Sequence, residues 1–196
     1  NSEEIKEYNE IGFIGGEFFN GEIEEVKEEF YKIFEKVKEL NFDKIYITAT
    51  LVYDINQWLT PFFSYLRDLQ ILNKVMICTS FDTIYRFKSQ EEKELWKLNM
   101  KFLKSIFPEI TLHTEIILTE AFMESVLNNE FSIENFRNYF ESGLDFIEPS
   151  SGLFYKDKEE AAKNLPMFFP KKSTFISFLK KVAVENHWID LNTLLS

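Results

Sequence analysis

The chain has 196 residues, 45% of them hydrophobic, enough for one well-buried domain. Its formal charge of −11 argues against general binding to nucleic acid or anionic membranes, because phosphate backbones repel such a surface, and leaves a basic protein partner open. A single cysteine, Cys78, excludes a disulfide framework and a cysteine-rich metal site within the chain.

No signal-peptide pattern, glycosylation sequon or apolar run of bilayer-spanning length stands in the sequence, so cytoplasmic residence is the expectation. The chain opens at Asn1 in an acidic, helix-like stretch to Glu10, which reads as the tail of an earlier element; an upstream strand and loop are expected to be missing.

The first predicted strand lies in Ile11 to Phe19, where an apolar run stops at Gly15, Gly16 and Glu17. Glycines at a strand end let a ligand approach the backbone, and a carboxylate beside them accepts hydrogen bonds from a cationic group. The same three residues also suit a tight turn with Glu17 near a helix N-terminus. Glu22 to Leu40 carries Ile23, Val26, Phe30, Ile33, Phe34, Val37 and Leu40 at helical spacing, which predicts an amphipathic helix. Lys44 to Val52 is short and β-branched, the mark of a buried strand.

Asn56 to Leu72 reads as a helix with Pro61 near its first turn, and Lys74 to Ser80 as a second buried strand of the same type. Gln90 to Phe107 is a further amphipathic helix, stopped by Pro108. Thr111 to Leu118 reads as a strand, Glu120 to Asn128 and Ile133 to Ser142 as helices, and Leu144 to Ile147 as a last short strand. A helix near Ser173 to Glu185 is expected to belong to a C-terminal helical cap, residues 153–196, on a core of residues 11–152 within a single domain.

Strands separated by helices of this length imply right-handed crossovers and a parallel sheet. Two α/β architectures fit, an open doubly wound sheet and a partial (β/α) barrel of about five strands with outer helices. Both put ligands at the carboxyl ends of the strands, where Gly15, Gly16 and Glu17, Thr48 and Thr50, Thr79, Ser80 and Asp82, Thr114 and Glu115, and Glu148 and Ser150 fall.

Gly15-Gly16-Glu17, with a strand before and a helix after, resembles the motif that ends the second strand of the partial barrel in the radical S-adenosylmethionine (SAM) superfamily. The resemblance runs from about Ile11 to Gly152. It implies that Gly15, Gly16 and Glu17 contact the methionyl amino group of SAM. Ser80 and Arg86 resemble the serine and arginine that hold the ribose or carboxylate after the fourth strand. Thr48 and Thr50 would belong to the ribose-facing third strand, and Glu115 to Leu118 to the fifth. An intact member would cleave SAM reductively to a 5′-deoxyadenosyl radical, using a [4Fe–4S] cluster held by a Cys-x3-Cys-x2-Cys loop. That loop is absent from this chain, whose one thiol cannot replace three, so the chain as it stands is not catalytic by that route.

The same absence motivates a second expectation, a cluster-free, catalytically inactive protein-binding module such as a phage-borne, anti-CRISPR-like inhibitor of a host defence nuclease. Acidity supports it, as does an aromatic surplus that includes Tyr53, Trp58, Phe62, Phe63, Phe168, Phe169, Phe175, Phe178 and Trp188, residues that serve a core equally well. An ordinary nucleotide-binding α/β domain is a third reading. Thr79, Ser80, Asp82 and Arg86 also suit turn-capping and ion-pair roles, and Thr48 and Thr50 suit any pleated strand.

No metal site is expected. His113 and Glu115 share a strand face but lack a third ligand, and His187 is distant in the chain. Glu115, Glu120 and Glu148 form no pattern that sets them apart from the other acids. No nucleophile elbow or phosphate-binding loop appears, and nothing in the sequence signals a base near Cys78.

Overall fold

The computed structural model describes residues 8–14, 27–81, 86–132, 146–150 and 170–184. The chain divides into two compact units. The first comprises Asn1–Thr79, Gln90–His113 and Ser142–Phe146, the second Ser80–Ser89, Thr114–Glu141 and Ile147–Ser196.

The strands are β1 (Glu10–Phe13), β2 (Lys44–Thr48), β3 (Val75–Phe81), β4 (Thr111–Ile117) and β5 (Phe146–Ser150), and the order in the sheet is β1-β2-β3-β4-β5. Strand order follows chain order without reversal. β1 runs parallel to β2 with Phe13 opposite Ile47, and β2 parallel to β3 with Ile47 opposite Ile77 and Thr48 opposite Cys78. Pro149, which lacks an N–H, stands in β5 at the end of the order, a place where a missing ladder donor is tolerated.

The helices of the first unit are α1 (Lys27–Leu40), α2 (Leu59–Asp68) and α3 (Gln90–Ile106). In α1, Phe30, Phe34 and Val37 recur at helical spacing and are buried. Glu28 and Glu29 in its first turn and Lys38 in its last complement the helix dipole. The helix stops at Asn41, whose left-handed φ of 55° lets its N–H reach back to the Val37 and Lys38 carbonyls. α2 is shorter than the expected span. The Asp54 carboxylate accepts from the backbone N–H and side-chain amide of Asn56, a local turn that competes with helix and delays its start. At the other end Gln70 takes a φ of 63° and Ile71 N donates to Leu66 O, which closes the helix early.

Side-chain parity gives the sheet two unlike faces. In β3 the buried residues are Val75, Ile77, Thr79 and Phe81, and Met76, Cys78 and Ser80 between them are half-buried. Register extends the buried set to Ile45 and Ile47 of β2, and the helices of the first unit dock on that side. The Phe34 ring stacks on Phe13 at 4.9 Å, Phe62 of α2 meets Phe34 edge-on at 4.9 Å, and Trp96 of α3 donates its indole N–H to Thr79 Oγ1 at 3.0 Å. Burying each such aromatic removes enough apolar surface to favour folding by about 1.5–3 kcal/mol. Trp58, Phe62 and Phe63, counted in the aromatic surplus, belong to this core.

In the second unit, α4 (Glu120–Leu127) begins at the N-cap Thr119, whose hydroxyl accepts from Phe122 N at 3.1 Å. α5 (Lys172–Val184) is held to it at both ends. The Glu120 carboxylate accepts from Lys171 N and the Thr174 hydroxyl, at 2.6 and 2.7 Å. Lys181 Nζ donates to the Val126 and Leu127 carbonyls at the C-terminus of α4. Phe122 and Phe178 are fully buried, with ring centroids 6.2 Å apart. No helix among the described residues is long and apolar enough to cross a membrane.

Candidate functional site

The half-buried face of the sheet collects the polar chemistry of the first unit. At its amino end, Glu10 of β1 accepts from the Tyr46 hydroxyl at 3.0 Å and pairs with Lys44 at 3.0 Å. The Lys44 ammonium, aided by the Tyr46 hydroxyl, holds the Glu10 carboxyl below its usual range, and Glu10 in turn raises Lys44. Tyr46 is pushed up by burial first and then by the neighbouring carboxylate. These groups bind one another and tie β1 to β2.

Toward the carboxyl end the face carries Thr48, Cys78 and His113, each half-buried. Thr48 stands opposite Cys78 in register. The Cys78 sulfur lies 3.8 Å from His113 Nδ1. A thiol and an imidazole are thus side by side, which the sequence does not signal because the two residues are 35 positions apart on different strands. Their nearness follows from strand adjacency and shared parity, and neither can be read from one strand alone.

β2 ends at Thr48, before the expected Val52. Ala49 N donates to Cys78 O at 3.0 Å, the last step of the ladder, and Leu51 then takes a left-handed φ of 56° while fully buried. A leucine in that conformation is strained, so its surroundings must hold it there. Asn99 of α3 does so. Its side-chain amide donates to Leu51 O at 3.0 Å and Tyr53 O at 2.8 Å, fixing the turn that follows Thr48 and Thr50. Asn99 carries no sequence signal of this role beyond being a polar residue on the buried side of an amphipathic helix.

The expected site residues fall in three groups. Thr48 and Thr50 lie in the first unit, the former ending β2 and the latter in the turn that Asn99 anchors. Ser80 and Arg86 lie in the second unit, where Arg86 Nε donates to Ser80 O at 3.3 Å. Gly15, Gly16 and Glu17 lie outside the described residues, as does Asp82.

Thr79 and Thr114, also placed by sequence at strand ends, are buried on the opposite face, Thr79 under Trp96 and Thr114 fully enclosed. They are core residues. Among the aromatic candidates Phe178 is likewise interior, Tyr53 and Phe175 are half-buried, and Phe168, Phe169 and Trp188 lie outside the described residues. Exposed apolar side chains stand elsewhere, with Leu98, Phe102 and Ile106 one turn apart on α3.

Among the described residues no group of three or more His, Cys, Asp or Glu side chains is disposed to hold a metal ion. No protein-family model, no curated protein and no solved structure matches this chain.

Proposed function

We propose that this chain binds S-adenosylmethionine on the half-buried face of a partial (β/α) barrel-like sheet, in the manner of the radical SAM superfamily, and does not itself supply the cysteines of a radical-generating cluster. The observation that carries the reading is the unreversed strand order combined with helices docked on one face of the sheet. Right-handed crossovers that always step in the same direction put every connecting helix on the same side, whereas a doubly wound sheet needs a reversal to cover both. A one-sided sheet of this kind curves toward a barrel, and ligands sit at the carboxyl ends of its strands.

In this reading Glu17, beside Gly15 and Gly16, accepts from the methionyl ammonium. Thr48 and Thr50 line the ribose. A [4Fe–4S] cluster does not fit the residues present, because its irons need three thiolates and the chain holds one. No step through a cluster is therefore assigned to this chain.

Calorimetric titration with S-adenosylmethionine tests the reading. The unmodified chain is expected to bind, and Glu17→Ala to weaken binding by about 10- to 100-fold, the loss of one hydrogen bond to a charged group. Equal affinities for the two chains, or no heat from either, would overturn it.

A second reading has its own support, the exposed stripe of Leu98, Phe102 and Ile106 on α3 together with the strong acidity. It makes the chain a cluster-free protein-binding module of the anti-CRISPR-like kind, with α3 as its docking helix.

A further inference from the structure

We propose that Cys78 and His113 form a thiol–imidazole pair that captures soft carbon electrophiles, specifically α,β-unsaturated carbonyl compounds, on the half-buried face of the sheet. The inference uses the same face and the same Thr48 as the proposed SAM site but does not require SAM to bind there, so it survives the failure of that reading. Cys78 is the sole cysteine, is not in a disulfide, and is half-buried. Its sulfur lies 3.8 Å from His113 Nδ1, within hydrogen-bond reach for sulfur, the arrangement by which a base activates a nucleophile.

Position is as important as distance. Cys78 and His113 sit on adjacent strands between side chains locked into the core: Ile77 and Thr79 flank the cysteine, and Leu112 and Thr114 the histidine. A pair placed on strands holds its geometry better than one placed on loops. Thr48 stands opposite Cys78 in register and puts a hydroxyl on the same face, suited to donate to the carbonyl oxygen of a bound electrophile.

The reaction balances without an oxidant or a leaving group. His113 Nδ1 takes the thiol proton, and the sulfur lone pair forms a carbon–sulfur bond at the β-carbon of the electrophile. The π electrons of the carbon–carbon double bond shift toward the carbonyl as an enolate, and the imidazolium returns the proton to the α-carbon. The sum is addition of S–H across the double bond. Thiolate rather than thiol is the reactive form, and an ordinary cysteine is only a few per cent thiolate at neutral pH, so a base in contact has room to accelerate the reaction by about 30-fold at most.

The lone cysteine makes the experiment unambiguous. N-Ethylmaleimide, an α,β-unsaturated carbonyl probe, is added at neutral pH and the adduct followed by intact mass, with Cys78→Ser as the unreactive control. The folded chain is expected to label about tenfold faster than the same chain in denaturant, where the histidine is no longer held beside the sulfur. His113→Ala is expected to lose that advantage, and added imidazole to restore it. His113→Asn, closer in size and polarity, serves as a second variant that keeps the strand packed. Labelling of the folded chain no faster than the denatured one would overturn the proposal, as would an undiminished rate in both variants or a failure of imidazole to restore it.

Discussion

At the scale of single residues, Asn99 does more for the candidate site than its type suggests. Its one amide group donates to two carbonyls, Leu51 O and Tyr53 O, and Leu51 is held with φ at 56° while fully buried. Replacing Asn99 by Leu keeps the volume and removes both bonds, and the buried Leu51 carbonyl left without this donor costs about 1–3 kcal/mol. Asn99→Leu is expected to lower the urea midpoint with an unchanged slope, by an amount equivalent to about 1–3 kcal/mol. Leu98→Gln, on the exposed side of the same helix, should change stability by less than about 0.5 kcal/mol. Equal midpoints for the two variants would show that the turn after Thr50 stands without Asn99. The Cys78–His113 pair belongs to the same scale, and its two partners could not be joined by inspection. A histidine and a cysteine 35 residues apart become neighbours only once strand order and parity are known.

At the scale of elements, the periodic signals are the legible part of the sequence. Phe30, Phe34 and Val37 mark α1, and the short β-branched runs mark β2 and β3, because burial imposes a period of 3.6 or a continuous apolar stretch on whatever sequence fills the position. Ends were less legible, for local reasons. Asp54 turns the chain before α2, and Asn41, Gln70 and Asn129 close helices in left-handed conformations that glycine usually supplies. The join between α4 and α5 is a different kind of end, made by one carboxylate. Burial alone would raise the Glu120 carboxyl, but hydrogen bonds from Thr174 and Lys171 outweigh it and leave it below its usual range. The sign follows from that direction. A carboxyl more acidic folded than unfolded contributes fully above the ordinary carboxylate range, near pH 4, and the contribution disappears as pH falls through the folded value. Amide exchange in α5, expressed as protection factors, is therefore expected to lose protection on acidification below about pH 4. Glu120→Gln should already show the weaker protection at neutral pH and little further acid response. An acid response unaltered by Glu120→Gln would place the controlling carboxyl elsewhere.

At the scale of the whole molecule, charge is the property that composition alone makes legible, and it has a measurable consequence. Surplus negative charge of −11 repels itself in the compact state, and that repulsion is relieved by screening. Screening also weakens attractive pairs, so the sign of the salt effect depends on which is larger. The ion pairs of the structure are mostly exposed: Lys36 with Glu39, Lys44 with Glu10, and Arg67 with Glu109 keep between about a third and two thirds of their side-chain surface in water. Pairs of that kind contribute about 0–1 kcal/mol each. Arg67 is the best placed, gripping Glu109 through two nitrogens at 2.7 and 2.8 Å, donating to Ile106 O and lying 4.7 Å over the Phe107 ring, contacts whose packing part salt does not screen. The repulsive side therefore dominates. Raising sodium chloride from low to moderate concentration is expected to increase the thermal midpoint, with most of the gain reached once the Debye length falls to about 10 Å. Replacing exposed acids that make no ion pair among the described residues, such as Glu124 and Glu130, by glutamine should reproduce part of the gain at low salt and reduce the salt response. A midpoint that falls with salt would mean that the exposed pairs act as a network stronger than their separate worth, and that the acidity of the chain is already compensated within its own surface.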